Sequence, residues 1–324
     1  MTEFNQVIKE KNSSSTNKEK LRGYTYASLA YLFWGFLALY WHALGTVSSL
    51  EILVHRMLWG FIFVMAIMSS QHKKRRIFFS LFKDIPLNYK QLIYFFVASL
   101  AITINWLLYI WAVNFGHIME ASLGLYITPI ISMLLGVVIL KDKINTGARL
   151  SIALAFLGVL FITYDYGQIP WIAISLAVTS GIYGLVKKYI HIDAVVGMCV
   201  EMMMTIPFTL FYLVILHLNN KTHFGSDIHV SLLLIGAGVL TALPLLWFTE
   251  GSKRLSLTTI GFFQYITPSI TFLLGILIFK NTITLTQWVS FIFIWFSLAL
   301  FSFSSNNRKL VKWINALYAS KNKV

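Results

Sequence analysis

Ten apolar runs of 17 to 23 residues follow one another along the chain: Tyr24 to Trp41, Leu50 to Ser69, Gln91 to Val113, Ile118 to Leu140, Ala148 to Tyr164, Ile169 to Val186, Val195 to Leu216, Ser231 to Thr249, Thr258 to Phe279 and Leu285 to Ser304. Each is long enough to cross a hydrocarbon layer of about 30 Å at about 1.5 Å per residue. A soluble core would alternate apolar and polar residues instead. The runs use about 200 residues at this spacing, so loops are short and little chain is left for a soluble domain. Only 12% of the residues are charged, about half the usual fraction. The expected fold is all-α, a polytopic membrane protein with ten transmembrane helices. One cysteine, Cys199, excludes a disulfide framework or a multi-cysteine metal site within the chain.

A net charge of +14 would suit nucleic acid if it were concentrated on one soluble face. It is distributed by topology instead. With the amino terminus inside, alternate loops should hold the lysines and arginines. The inside segments then carry 23 of the 26 basic residues, including Lys73 to Arg76, Lys141, Lys143, Lys187, Lys188, Lys253 and Arg254. The outer loops carry Lys221 and Lys280, and Arg56 lies within a span. Both termini are therefore expected in the cytoplasm, with anionic inner-leaflet lipid rather than nucleic acid as the partner of the charge. Residues 1–23 are expected to be a disordered, retained cytoplasmic segment. Residues 305–324 read as a basic amphipathic tail, with Leu310, Trp313, Ile314 and Leu317 on one face. Lys73 to Lys83, with Phe78, Phe79 and Phe82, reads in the same way.

The sequence also repeats. Tyr126-Ile127-Thr128-Pro129 recurs 139 residues later as Tyr265-Ile266-Thr267-Pro268, and the match runs on through Gly136/Gly275 and Lys141/Lys280. Residues 24–164 and 165–304 are thus two repeats of five spans each. An odd number of spans turns the second copy over, which gives two inverted five-helix repeats, an architecture of secondary transporters. Pro129 and Pro268 each remove one helical hydrogen bond and are expected to kink their helices. The kinks are either packing bends or places where freed carbonyls line a cavity.

Charges inside a membrane are costly and need a reason. Arg56 lies in the second span near the outer face, its neighbours Glu51 and His55 are spaced i, i+4 on one face, and Glu120 begins the fourth span on the same side. An ion pair between Arg56 and Glu120 is one reading, and a substrate or proton site the other. Glu201 lies in the seventh span, which has no basic residue, so it is expected to be unpaired and is the preferred proton-coupling candidate. Glu250 should pair with Lys253 and Arg254 at a helix end. Asn105, Trp106, Tyr109 and Trp111 in the third span, with Tyr31, Trp34, Tyr183 and Trp247 elsewhere, are candidates for a cavity wall, and Gln264, whose carbonyl Pro268 would free, is a further candidate for the substrate pathway. Walker, zinc-cluster and nucleophile-elbow patterns are absent from the sequence, so no cofactor, metal or catalytic role is expected.

These residues carry a resemblance. Trp34-Gly35, Glu51 to Arg56, Asn105 to Asn114, Glu120 to Gly124 and Gly261 to Tyr265 make the chain similar to the RarD group of the EamA family, in the drug/metabolite transporter superfamily. The resemblance implies ten helices in two EamA repeats around a central cavity, and a permease role in the inner or plasma membrane. The family name is linked to chloramphenicol sensitivity. The sequence departs from the family where the fourth and ninth spans end: Lys141-Asp142 keeps an acid, whereas Lys280-Asn281 does not. The expected function is secondary transport of small organic metabolites or drugs by alternating access, with proton coupling as an option. The alternatives are an intramembrane enzyme acting on lipid-linked substrates and a membrane scaffold or sensor. Substrate, direction and oligomeric state stay open.

Overall fold

Without water in the hydrocarbon, backbone amides and carbonyls must find partners within their own segment, and a helix does this completely. The computed structural model describes residues 2–45, 47–83, 85–278, 280 and 284–306. Among these residues there are twelve helices: α1 (Thr2–Ala43), α2 (Ser49–Ser70), α3 (His72–Lys83), α4 (Ile85–Asn114), α5 (Ile118–Val138), α6 (Thr146–Tyr166), α7 (Trp171–Lys187), α8 (Ala194–Leu218), α9 (Ile228–Arg254), α10 (Leu257–Gln264), α11 (Ile266–Leu277) and α12 (Leu285–Asn306). Among the described residues, eight helical stretches are long and apolar enough to cross a membrane. The shorter apolar α7 and the apolar half of α1 occupy the two remaining expected spans. Side chains such as Phe208, Phe211, Leu218 and Phe296 stand exposed on these helices, which suits a surface solvated by lipid rather than water.

Short loops need sharp helix starts, and the sequence provides them. The side chains of Ser48, Asn145, Asp193 and Asp227 cap α2, α6, α8 and α9 by accepting first-turn amides, the residue types that compete best for this position. Basic α3 fills the expected amphipathic segment, with Phe78 and Leu81 buried and Phe79 exposed. The expected tail helix beyond residue 306 lies outside the described residues.

The amino-terminal segment is a correction. Residues expected to be disordered belong to α1, which begins at Thr2. Nothing between Thr2 and Leu21 is glycine or proline, and once a helix is nucleated, adding residues to it costs little. Glu19 ties down the end nearest the span, accepting from Arg22 at 2.8 Å and from Arg254 at 2.9 Å. The Arg254 guanidinium holds the exposed Glu19 carboxyl below its usual range.

The chain divides into two compact units. One comprises the residues up to Trp106 together with Tyr183–Ser256; the other comprises Leu107–Ile182 and the residues from Leu257 on. Each draws helices from both repeats. In the first unit α2 packs on α8 and α9, and α1 on α9. Residue numbers rise along α2 as they fall along α8: Thr209 Oγ1 donates to Met57 Sδ at 3.5 Å, and Cys199 Sγ lies 4.0 Å from Met65 Sδ. In the second unit α12 packs on α6 and α10 on α5. Ser297 Oγ donates to the Ser151 carbonyl at 2.6 Å, and Gly261 rests against Met133 and the Pro129 carbonyl. Repeat-equivalent helices therefore pack antiparallel, as inversion requires.

The matched Tyr-Ile-Thr-Pro segments meet in one apolar cluster in the second unit, where Tyr265, Phe262, Ile130 and Met133 are buried and Tyr126 and Ile127 pack against them. The two prolines do not act alike. Pro129 lies inside the continuous α5, whereas Pro268 follows an interruption at Tyr265, whose amide donates to Phe262 at 3.3 Å. Gly261, pressed against α5, stands where the first copy has Ser122, and glycine holds helical geometry less well. Lys141 and Lys280 share a left-handed backbone, with φ of 53° and 52°.

Candidate functional site

Two polar clusters lie within the membrane-spanning helices of the first unit. The first is built on α8. Asp193 fixes the start of this helix, taking the amides of Val195 and Val196, and Glu201 follows two turns later. Tyr183 and Lys187, four residues apart, occupy one face of the last turn of α7. Lys187 Nζ donates to Glu201 Oε1 at 2.6 Å, and the Tyr183 hydroxyl donates to Oε2 at 3.3 Å. Ser99 Oγ donates to the Glu201 backbone carbonyl at 3.1 Å, tying α4 to α8. Side-chain exposure is 1% for Lys187 and 6% for Glu201, so this is a buried ion pair.

An aromatic wall surrounds the pair. Lys187 Nζ stands 5.4 Å from the Tyr183 ring centre. Tyr183 stacks on Phe248 at 5.9 Å, Phe248 meets Trp34 at 6.0 Å and Tyr31 at 6.2 Å, and Tyr31 meets Trp34 edge-on at 5.2 Å. Electron-rich ring faces favour a nearby cation, so the cluster is electrostatically suited to an ammonium group.

The second cluster surrounds Arg56. Its Nε donates to Thr241 Oγ1 at 2.9 Å, and its guanidinium carbon lies 4.8 Å from the Trp41 ring centre and 5.4 Å from that of Trp106. Arg56 is seven residues from the first residue of α2, and Glu201 seven from the first residue of α8. Since these helices are repeat-equivalent and antiparallel, the two charges lie on opposite sides of the crossing at Gly60 and Met202. From the helical rise they are about 10 Å apart along the axis.

Several expectations change here. Glu201 is not unpaired: its partner Lys187, which falls one residue beyond the expected sixth span, ends α7 and turns inward. The signal in the sequence was Tyr183 and Lys187 at i and i+4. Arg56 contacts two rings and a hydroxyl, and Glu120 and Glu51 each have partners within their own unit. Glu120 accepts from the Tyr166 hydroxyl at 2.9 Å and the Ile172 amide at 3.0 Å, with His117 Nδ1 3.7 Å away. Glu51, fully buried, holds the loop between α8 and α9, accepting from Thr222 Oγ1 at 3.2 Å and from the amides of His223 and Phe224 at 2.6 and 3.3 Å. His223 Nδ1 lies 2.8 Å from its other oxygen.

His55 stacks on Phe224 at 4.8 Å, and its Nδ1 accepts from Trp59 Nε1 at 3.2 Å. Its buried Nε2 has no hydrogen-bond partner among the described residues. Of the cavity-wall candidates, Trp34 and Tyr183 join the Glu201 cluster and Trp106 joins Arg56. Asn105 is half-buried and Tyr109 exposed. Gln264 belongs to the second unit, where its Oε1 is buried without a partner among the described residues. Glu250 pairs with Arg254, and with Lys253 at 3.9 Å.

Asp142, the acid retained at the end of the first repeat's fourth span, closes the start of α10. Its Oδ2 accepts from the Thr258 amide at 2.9 Å and hydroxyl at 2.7 Å. Its counterpart Asn281 lies outside the described residues. Asp142→Ala is expected to cost about 1–2 kcal/mol, as loss of a helix cap does, measured as a lower unfolding midpoint in detergent. An unchanged midpoint would mean that the contact holds nothing.

An all-helical bundle with buried charges inside its membrane spans defines the class as a multi-pass membrane protein of transporter type. The EamA-like transporter family matches the chain twice, over residues 21–164 and 169–303, and the chain belongs to that family, in its RarD group. It is 39% identical over 299 residues to a Bacillus subtilis transporter named YojE, covering 92% of this chain and 97% of that one. Protein RarD of Escherichia coli K12 is 37% identical over 285 residues, covering 88% and 95%. A Pseudomonas aeruginosa relative, named chloramphenicol-sensitive protein RarD, is 24% identical over 82% of this chain and 88% of its own length. A solved crystal structure with 16% identity shares the fold, at a TM-score of 0.61 over 88% of this chain and 96% of that one.

Proposed function

We propose that the protein is a secondary carrier that moves small organic metabolites or drugs across the cell membrane by alternating access, with both termini in the cytoplasm. The observation that carries this reading is the placement of Arg56 and Glu201 the same number of residues from the starts of antiparallel, repeat-equivalent helices, on opposite sides of their crossing. Burying charge in a membrane is expensive and is kept where a solute or ion passes. Inverted repeats supply two related conformations that can exchange. The names of the relatives, transporters and RarD proteins, support the same class. Anionic lipid is the partner of the basic segments in this reading, α3 among them.

The test has two stages. Metabolites inside and outside cells with and without the gene are compared, and the leading compound is then followed in proteoliposomes. Protein-dependent flux is expected, with Arg56→Ala reducing it at least tenfold at equal protein abundance. Product formed in detergent without a gradient would instead identify an intramembrane enzyme. Proton coupling through Glu201 would require the carboxylate to part from Lys187. Flux indifferent both to a pH gradient and to Glu201→Gln would remove that assignment.

A further inference from the structure

We infer that the Glu201 cluster is an exchangeable ammonium site whose resident occupant in the unloaded protein is the chain's own Lys187, and whose transported ligand is an organic ammonium ion. The inference rests on the carrier reading and names its substrate class.

The cluster already shows how it holds such a group. A carboxylate oxygen accepts from Nζ at 2.6 Å, a ring face lies 5.4 Å from the charge, and Tyr31, Trp34 and Phe248 extend the aromatic wall. The Tyr183 hydroxyl occupies the other oxygen, leaving one oxygen as the ammonium position. From Cβ outward, the lysine side chain is itself an n-butylammonium group. The site is thus complementary to an alkylammonium head with an apolar body.

Two further features favour exchange over a fixed strut. Lys187 is the last residue of α7 and is followed directly by Lys188. A flexible four-carbon stem at a helix end can carry its charge out to the aqueous boundary. An empty carrier with a bare buried carboxylate would pay heavily to reorient, and a tethered cation that re-enters after unloading removes that cost. Ligand and lysine then take turns on Glu201, and the charge count inside the membrane stays constant.

The experiment is equilibrium binding of labelled n-butylammonium to the full chain in detergent, with n-butanol as the uncharged competitor of similar shape. Wild type is expected to bind saturably in the millimolar range, with no competition from butanol. Lys187→Met keeps the length of the stem and removes the charge, and should bind at least tenfold tighter. Glu201→Gln and the double variant should not bind. Should Lys187→Met fail to fold, Lys187→Arg decides: it keeps the pair with a cation that is more weakly hydrated and so leaves a buried carboxylate less readily, and should bind at least threefold more weakly than wild type. No saturable binding to wild type, binding retained by Glu201→Gln, or equal affinity in the wild-type and Lys187→Arg chains overturns the inference. Because binding needs no flux, these outcomes leave the carrier reading to the proteoliposome measurement.

Discussion

Gly238→Ala is expected to destabilise the protein by about 3 kcal/mol, near the top of the range for overpacking a close contact. A Cβ at Gly238 on α9 would fall on the Gly60 amide nitrogen and on Trp59 of α2. These are backbone and first-carbon atoms of a packed helix, so they cannot swing aside. Membrane helices gain little from apolar burial and rely on close backbone approach, which small residues permit. Gly60 sits at the same crossing, yet a Cβ there would meet the terminal methyl of Met202 at 3.2 Å and the Gly238 carbonyl at 3.3 Å. Methionine adapts readily, so Gly60→Ala should cost about 1 kcal/mol or less. Unfolding midpoints in detergent compare the two variants, and equal costs would show that α2 and α9 relax apart.

Lys187→Met should be at least as damaging, by roughly 3–5 kcal/mol, because it leaves the Glu201 carboxylate buried without its countercharge. The double variant Lys187→Met/Glu201→Gln removes both charges and should recover most of the loss, since neutral replacements of buried pairs are often tolerated. Stability and abundance of the single and double variants form the measurement. A double variant as unstable as the single one would show that lysine packing, rather than charge pairing, holds α7 to α8. The readout also bears on function: a stable, uncharged double variant without flux separates transport from folding.

The fold was legible because the bilayer sets one length for every span. Leu50 to Ser69 against the observed Ser49–Ser70, and Val195 to Leu216 against Ala194–Leu218, differ only at helix ends. The helical amino terminus was missed because polarity was read as disorder, whereas its uninterrupted run of residues without glycine or proline was compatible with a helix. The polar clusters were legible in part. Arg56, Glu201 and Tyr183 stood out by type and depth, but their partners depend on which faces of distant helices meet. Thr241 lies 185 residues from Arg56, and nothing local marks it. Lys187 is nearer, yet it falls one residue beyond the expected sixth span.

Because each unit draws helices from both repeats, neither repeat can complete a unit alone. Residues up to Trp106 cluster with Tyr183–Ser256, and α6 packs mainly on α12 and less on α5. The first repeat by itself would therefore leave to lipid the faces of α2 and α6 that α8, α9 and α12 cover in the full chain. Because α12 covers α6 in the second unit, a chain cut before α12 would leave that face of α6 to lipid.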